Sequence, residues 1–346
     1  MNISTIPFGE IDGRQITLFT LANDYKMSLK ITNYGGIVTS IQVPDRSGNI
    51  EDVVLGFDNL DDYCKNEPYF GAIIGRFANR IAGGTFNIEN KHYKLTRNHG
   101  NIHLHGGEKG FDKVIWQANE IKQDDVVGIR LIYNSPDKEE GYPGNVDVEV
   151  TYELANSNEF RITYRATTNQ PTHVNLTQHS YFNLSGDPDN DILNNYLWID
   201  ANRYTEVNSD LIPTGKFINV SGTPFDFTQS RRIGCRIDQI EGGYDHNFEI
   251  NNSGNALKKA AIVRDSKSGR KMEVFTTQPG LQFYTANFGD KPVRGKNNRT
   301  YKNYSGFCLE AQHFPDTPNQ PAFPSTLLKP GELYLHKTIY RFGITS

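Results

Sequence analysis

At 346 residues, with Lys+Arg 36 against Asp+Glu 40 and a net charge of −4, the chain is long enough to bury a large core and shows no basic stripe. That balance argues against a nucleic-acid partner, which would demand clustered cations. No window approaches the roughly 18 consecutive apolar residues of a membrane span, and the opening MNISTIPFGE lacks the basic and apolar parts of a secretory signal.

Short alternating runs recur along the chain. Strands are predicted at 16–21, 27–32 and 37–43, followed by a turn at 45–49 and a single short helix at 58–65. Further strands are predicted at 114–118 and 129–133. The clearest run, 146–154, carries apolar residues at even positions and polar ones at odd positions, and 160–166 repeats the pattern after a polar turn. Both runs keep their faces aligned in a hairpin only if its loop has an odd residue count. Asp147, Glu149 and Glu153 then face the row of Arg161 and Arg165, each opposed pair contributing about 0.2–1 kcal/mol. The remaining predicted strands are 196–200, 260–264, 271–276, 281–285 and 333–342, with turns at 142–145 and 266–269.

Many short strands without intervening helices predict an all-β antiparallel sandwich. With no linker or repeat, residues 1–346 read as a single domain. Cys64, Cys235 and Cys308 are sparse, odd in number and without CxxC spacing. Such cysteines read as reduced thiols of a cytoplasmic protein.

No GxGxxG, GxxxxGK[ST], GxSxG or HExxH occurs, so nucleotide cofactors, serine hydrolysis and zinc proteolysis lack their usual signatures. Five polar clusters remain. GRFANRI places Arg76, Asn79 and Arg80 amid small and apolar residues, where long cations need partners. His103 and His105, two apart on a strand, share a face, a spacing also found in metal sites. No second His or Cys pair completes a ligand set, so no metal is expected, and His105 before two glycines reads as a hydrogen-bonding group at a strand end. Alternation aligns Asn175, Thr177, His179 and Tyr181, making His179 either a tuned acid or a satisfied core histidine. Asp245 after Gly242-Gly243 either grips hydroxyls or bonds its own turn. Glu310, flanked by Leu309 and Ala311, is a carboxylate inside an apolar strand and must have partners or a task.

In order, GRFANRIAGG, HLHGG, GYPGN, NLTQHSYFNL, GGYDHNF, QPGLQFYT and CLEAQHFPDTPN, with the ending KPGELYLHKTIYRF, resemble the galactose mutarotase (aldose 1-epimerase) family from residue 75 to 342. Residues 99–102 depart slightly from its usual spelling, which touches only a loop contact. The resemblance implies a large antiparallel β-supersandwich with few short helices, an open cleft and no cofactor. It implies Glu310 as catalytic base and His179 as catalytic acid. Asn79, Arg80, His105, Asp245 and Gln282 fall on its sugar-binding positions, and Tyr181 lies beside the acid. The implied activity interconverts the α and β anomers of free aldoses such as galactose and glucose, in hexose and galactose metabolism. The implied partner is a small-molecule aldose, with the protein a monomer or homodimer.

The chemistry suits those residue types. Glu310 would take the proton of O1 while His179 delivers one to O5, breaking C1–O5. Rotation about C1–C2 and reclosure by the same groups, roles reversed, yields the other anomer. Nearby carboxylate charge is expected to raise the pKa of His179, and Phe314 or Phe283 to cover the sugar's C–H face. Rival readings are a hexose-6-phosphate 1-epimerase with Arg76 or Arg80 on the phosphate, a glycosidase built on Asp245 and Glu310, and a lectin-like binding module.

Overall fold

The alternating run at the centre of the chain forms the hairpin its pattern requires. In the structure, a computed structural model that describes residues 1–65, 68–251 and 256–345, strand Val146–Ala155 pairs antiparallel with Glu159–Thr168 across a three-residue loop, 156–158. Glu149 faces Arg165 and Glu153 faces Arg161. Val146, Val148, Val150, Tyr152 and Leu154 turn inward and are buried.

This hairpin sits within a nine-stranded antiparallel sheet. Its long strand Tyr334–Ile344 pairs with Glu159–Thr168 on one side and with Arg270–Thr276 on the other, so the C-terminus ties the two halves of the sheet together. A five-stranded sheet follows the order Pro213–Asn219, Arg203–Val207, Asp245–Glu249, Gly280–Tyr284 and Cys308–Gln312. A second five-stranded sheet is built from the N-terminal residues, from Asn2–Ile11 to Ile50–Asp52. The main apolar core takes Phe19 and Ile41 from the N-terminal sheet, Val150 and Tyr340 from the large one, and Phe248, Leu281 and Leu309 from the other. Strand alternation therefore sends Asp245, Gln282 and Glu310 to the opposite face of that last sheet.

Some boundaries differ from the sequence expectations. The strand expected at 114–118 is a 3₁₀ turn at Phe111–Lys113 followed by strand Gln117–Gln123. The apolar residues between them pack instead: Trp116 is buried and its Nε1 donates to the Phe111 carbonyl at 3.2 Å. The helix is shorter, Leu60–Cys64, because Asn59 caps it by accepting the Asp62 N–H. Strand Asn2–Ile11 was not legible: it is mostly exposed, and its register shifts between Pro7 and Gly9. Pairing with Arg14–Ala22 defines it. Among the described residues, no helix is long and apolar enough to cross a membrane.

Candidate active site

Three short segments converge on the polar face of strand Cys308–Gln312. The first two are the pair Arg80–Ile81 and His103–Leu104. Just outside it, Asn79 and His105 both adopt left-handed φ values, 67° and 52°, a region that Asn and His enter more readily than most residues. They clasp each other: the Asn79 N–H donates to His105 Nδ1 at 3.2 Å and the His105 N–H to the Asn79 carbonyl at 3.1 Å. The expectation that His103 and His105 share a face is overturned, because the strand ends at Leu104 and the left-handed turn swings His105 into the cleft. His103 stays in the core, bonded to the Thr96 carbonyl and the Tyr142 hydroxyl. Gly106 makes the bend feasible. Its φ is +90°, and a Cβ there would lie 1.8 Å from the Gly75 carbonyl oxygen.

The third segment follows strand Thr177–Gln178. Thr177 donates to the Ala311 carbonyl at 2.9 Å, and Asn175 bonds the backbone of His313. The odd-numbered residues thus run beside the Glu310 strand. His179 then places Nε2 3.6 Å from Glu310 Oε2. Tyr181 stacks on His179 at 5.1 Å between ring centroids and donates its hydroxyl to the Pro68 carbonyl.

Cross-strand register supplies the rest. Asp245 pairs with Tyr284, and Gln282 lies between Asn247 and Glu310. Gln282 donates to Asp245 Oδ1 at 2.6 Å, and Arg80 to Asp245 Oδ2 at 3.0 Å. The turn reading of Asp245 does not hold: it begins strand Asp245–Glu249. Among the described residues, Glu310 Oε2 and Gln282 Oε1 are buried without a hydrogen-bond partner. The structure therefore brings Asn79, Arg80, His105, His179, Tyr181, Asp245, Gln282 and Glu310 together. All but Gln282 line one cavity of about 500 Å³, and Gln282 stands behind Asp245.

Burial dominates the electrostatics. Glu310 is 2% exposed, and desolvation pushes its carboxyl well above the usual range, with Asp245 adding to the rise and Arg80 opposing it. Burial lowers His179 to about 4, against smaller upward pulls from its own backbone carbonyl and from Asp245. This reverses the expectation that carboxylate charge keeps His179 protonated. The adjacent carboxyl is itself held neutral by burial, so it supplies little charge to stabilise an imidazolium. Burial likewise holds His105 well below 6.5, with His179 and Arg80 adding to the effect.

His105, His179 and Glu310 offer donor atoms within 4.8 Å of one another, a spacing a divalent ion could bridge. The hydrogen bonding of His105 disfavours it. His105 Nδ1 accepts the Asn79 N–H, so the proton of the neutral ring sits on Nε2 and neither nitrogen presents a free lone pair.

Other expectations are corrected. Phe314 and Phe283 do not face the cleft. Phe314 packs on Phe217 and Phe323, and Phe283 on Phe227 and Tyr244. The cleft aromatics are Phe57, Tyr69, Tyr181, Tyr284 and Phe288. Tyr69, missed in the sequence, has φ 60° and lies against both His105 and His179; no periodicity marks such a turn residue. Arg76 is buried and donates to Ser135 Oγ and to the carbonyls of Ser135, Pro136, Pro143 and Gly144, so it organises a loop.

Comparison with known proteins places the chain in a family. The sequence profile described as aldose 1-epimerase matches residues 17–341. The human galactose mutarotase is 44% identical over 346 residues, covering 99% of each chain. An aldose 1-epimerase of Escherichia coli is 37% identical over 339 residues, covering 96% of each. Among solved structures, an aldose epimerase homologue from C. elegans superposes with TM-score 0.87 at 27% identity, covering 95% of this chain and 99% of that one. A galactose 1-epimerase from Lactobacillus acidophilus also gives 0.87 at 27% identity, covering 100% and 99%. Fold and relatives together define the class: an all-β isomerase of the galactose mutarotase fold. Within that class, the chain belongs to the aldose 1-epimerase family.

Proposed function

We propose that this protein is an aldose 1-epimerase that opens and recloses the ring of a free aldose, with Glu310 as base and His179 as acid. The observation that carries the reading is the meeting of His179 Nε2 and Glu310 Oε2, 3.6 Å apart and both buried, on the wall of a cavity of about 500 Å³. A small-molecule aldose such as galactose or glucose is the substrate. Arg80, His105 and Asp245 bind its hydroxyls, Asn79 orients His105, and Gln282 orients Asp245.

The pair works with one proton between its two members. In the free protein burial favours neutral Glu310 and neutral His179. The reactive arrangement, carboxylate and imidazolium, holds the same number of protons. From it Glu310 takes the O1 proton as His179 Nε2 gives one to O5, and the C1–O5 bond breaks to the open aldehyde. Rotation about C1–C2 and the reverse transfers close the other anomer. Each group would contribute about 10²–10⁴-fold.

Rival readings find less support. Arg76 is committed to backbone carbonyls and the charge of Arg80 is paired with Asp245, so neither guanidinium offers an unpaired charge to a phosphate. A glycosidase built on Asp245 and Glu310 would leave His179, 3.6 Å from Glu310, without a role. A single domain is favoured by a core running from Phe19 to Phe342. The cytoplasm is favoured by exposed Cys64 and Cys235 left as free thiols. A monomer or homodimer completes the proposal.

Polarimetry of freshly dissolved α-D-galactose tests the reading. Glu310→Gln and His179→Asn should each lower kcat by about 10²–10⁴-fold with KM little changed. Turnover retained by Glu310→Gln would overturn it. Faster conversion of glucose 6-phosphate than of glucose would favour the phosphate-specific rival.

A further inference from the structure

Strand Cys308–Gln312 addresses both nitrogens of the His179 ring. Cys308 and Glu310 are two residues apart and so share a face. Cys308 Sγ lies 3.6 Å from His179 Nδ1, and Glu310 Oε2 lies 3.6 Å from Nε2. The ring plane is set by near-parallel aromatics, Tyr181 at 5.1 Å and 24° and Tyr69 at 6.1 Å and 27°. The imidazole therefore has a fixed orientation, and its tautomer is decided by what each nitrogen meets.

We infer that Cys308 is a positioning residue for the acid: its thiol holds His179 in the tautomer that carries the proton on Nε2, the atom facing Glu310. This deepens the proposed function and rests on His179 being the acid.

The chemistry follows from what a thiol can do. Cys308 is fully buried, and burial pushes its thiol well above its ordinary range, so the sulfur keeps its hydrogen. A thiol is a weak donor and also a weak acceptor. Towards neutral imidazole the S–H points at the Nδ1 lone pair, which leaves the ring proton on Nε2. Towards imidazolium the sulfur accepts from Nδ1–H. One group thus serves both protonation states of the acid with only a rotation of its own hydrogen. The competing partner is the carboxyl of Glu310, 3.6 Å from Nε2, whose O–H in the neutral form can donate to Nε2 and so favours the ring proton on Nδ1. Without the thiol that carboxyl leaves the ring proton on Nδ1, and Nε2, accepting from Glu310, is unable to donate to O5.

Nitrogen NMR of histidine-labelled protein reads the tautomer directly, without substrate. At neutral pH the wild-type His179 should be the Nε2–H form. Cys308→Val, which matches the thiol in bulk but cannot hydrogen-bond, should shift it to Nδ1–H and lower kcat about 10-fold or more, part of what a positioned acid contributes, with KM unchanged. Cys308→Ser, which keeps a donor and acceptor, should retain the Nε2–H form and recover most of the kcat lost in the valine variant. An Nδ1–H tautomer in the wild type overturns the inference even if no variant folds. So does a valine variant in which either the tautomer or kcat is unchanged. The failure of the underlying reading looks different: Glu310→Gln or His179→Asn would then stay active whatever the tautomer.

Discussion

At Glu310 two demands pull against each other. A base must be ionised to take a proton, yet the side chain is buried beside Asp245, and both influences favour its neutral form. His179 faces the mirror problem, since burial favours the neutral ring. Sharing a single proton resolves both, because moving it between the two groups leaves the net charge of the pocket unchanged. The consequence for pH is specific. A second proton enters as pH falls through about 4, where His179 charges, and the last proton leaves only above the ordinary carboxylate range, as Glu310 ionises. We therefore expect the acid limb of kcat/KM near 4, well below the ordinary histidine range. Rate measurements across pH check this. An acid limb near 6.5, the unperturbed histidine value, would mean that His179 is not buried as a neutral ring.

Elements, not isolated residues, aim the site. Strand Cys308–Gln312 sends Leu309 and Ala311 into the core and Cys308 and Glu310 towards the acid. A one-residue slip would exchange these faces, so the apolar residues that stabilise the strand also fix the direction of the base. The turn after His103–Leu104 has no such redundancy. Gly106 stands against the Gly75 carbonyl at a distance that admits no Cβ, and both neighbours are backbone. We expect Gly106→Ala to force the two segments apart, destabilising the fold by about 2 kcal/mol or more. Breaking the Asn79–His105 clasp should also raise KM more than it lowers kcat. Urea unfolding beside steady-state kinetics measures both, and unaltered values for each would show that the two segments move independently. A similar constraint precedes Asp245: Gly243 has φ +82°, and a Cβ there would lie 2.5 Å from Asn287 Oδ1.

For the whole molecule, the buried histidines tie folding to pH. His103, His105, His173, His179 and His313 are each at most 9% exposed, and burial lowers every one. A group whose pKa is lower in the folded state takes its proton preferentially in the unfolded chain. Stability is therefore present above 6.5 and is lost as pH falls towards 4. Each such histidine costs about 1.36 kcal/mol per pH unit in that window, against a typical total of about 5–15 kcal/mol. Glu273, lowered to about 2 by Lys259 and Arg341 against a desolvation cost, adds its own loss below 4.5. The urea midpoint should drop steeply between pH 7 and about pH 5. A midpoint unchanged over that range would show that these rings accept protons within the fold.

Much was legible in the chain itself. Alternation at 146–154 and 160–166 set the faces, the loop parity and the Glu–Arg pairs of the central hairpin, because strand periodicity is a local property of covalent geometry. A carboxylate between Leu309 and Ala311 marked Glu310 by the same logic, since the cost of burying charge can be read without knowing what buries it. What the chain alone could not decide depended on groups distant in sequence. Tyr69, not Phe314 or Phe283, lies against the two cleft histidines, because a left-handed turn and the packing of other sheets determine which aromatic is left facing the cleft. The sign of the His179 shift also inverted, since desolvation sums over every element that closes around the ring, while the neighbouring charge invoked from sequence is itself removed by that closure.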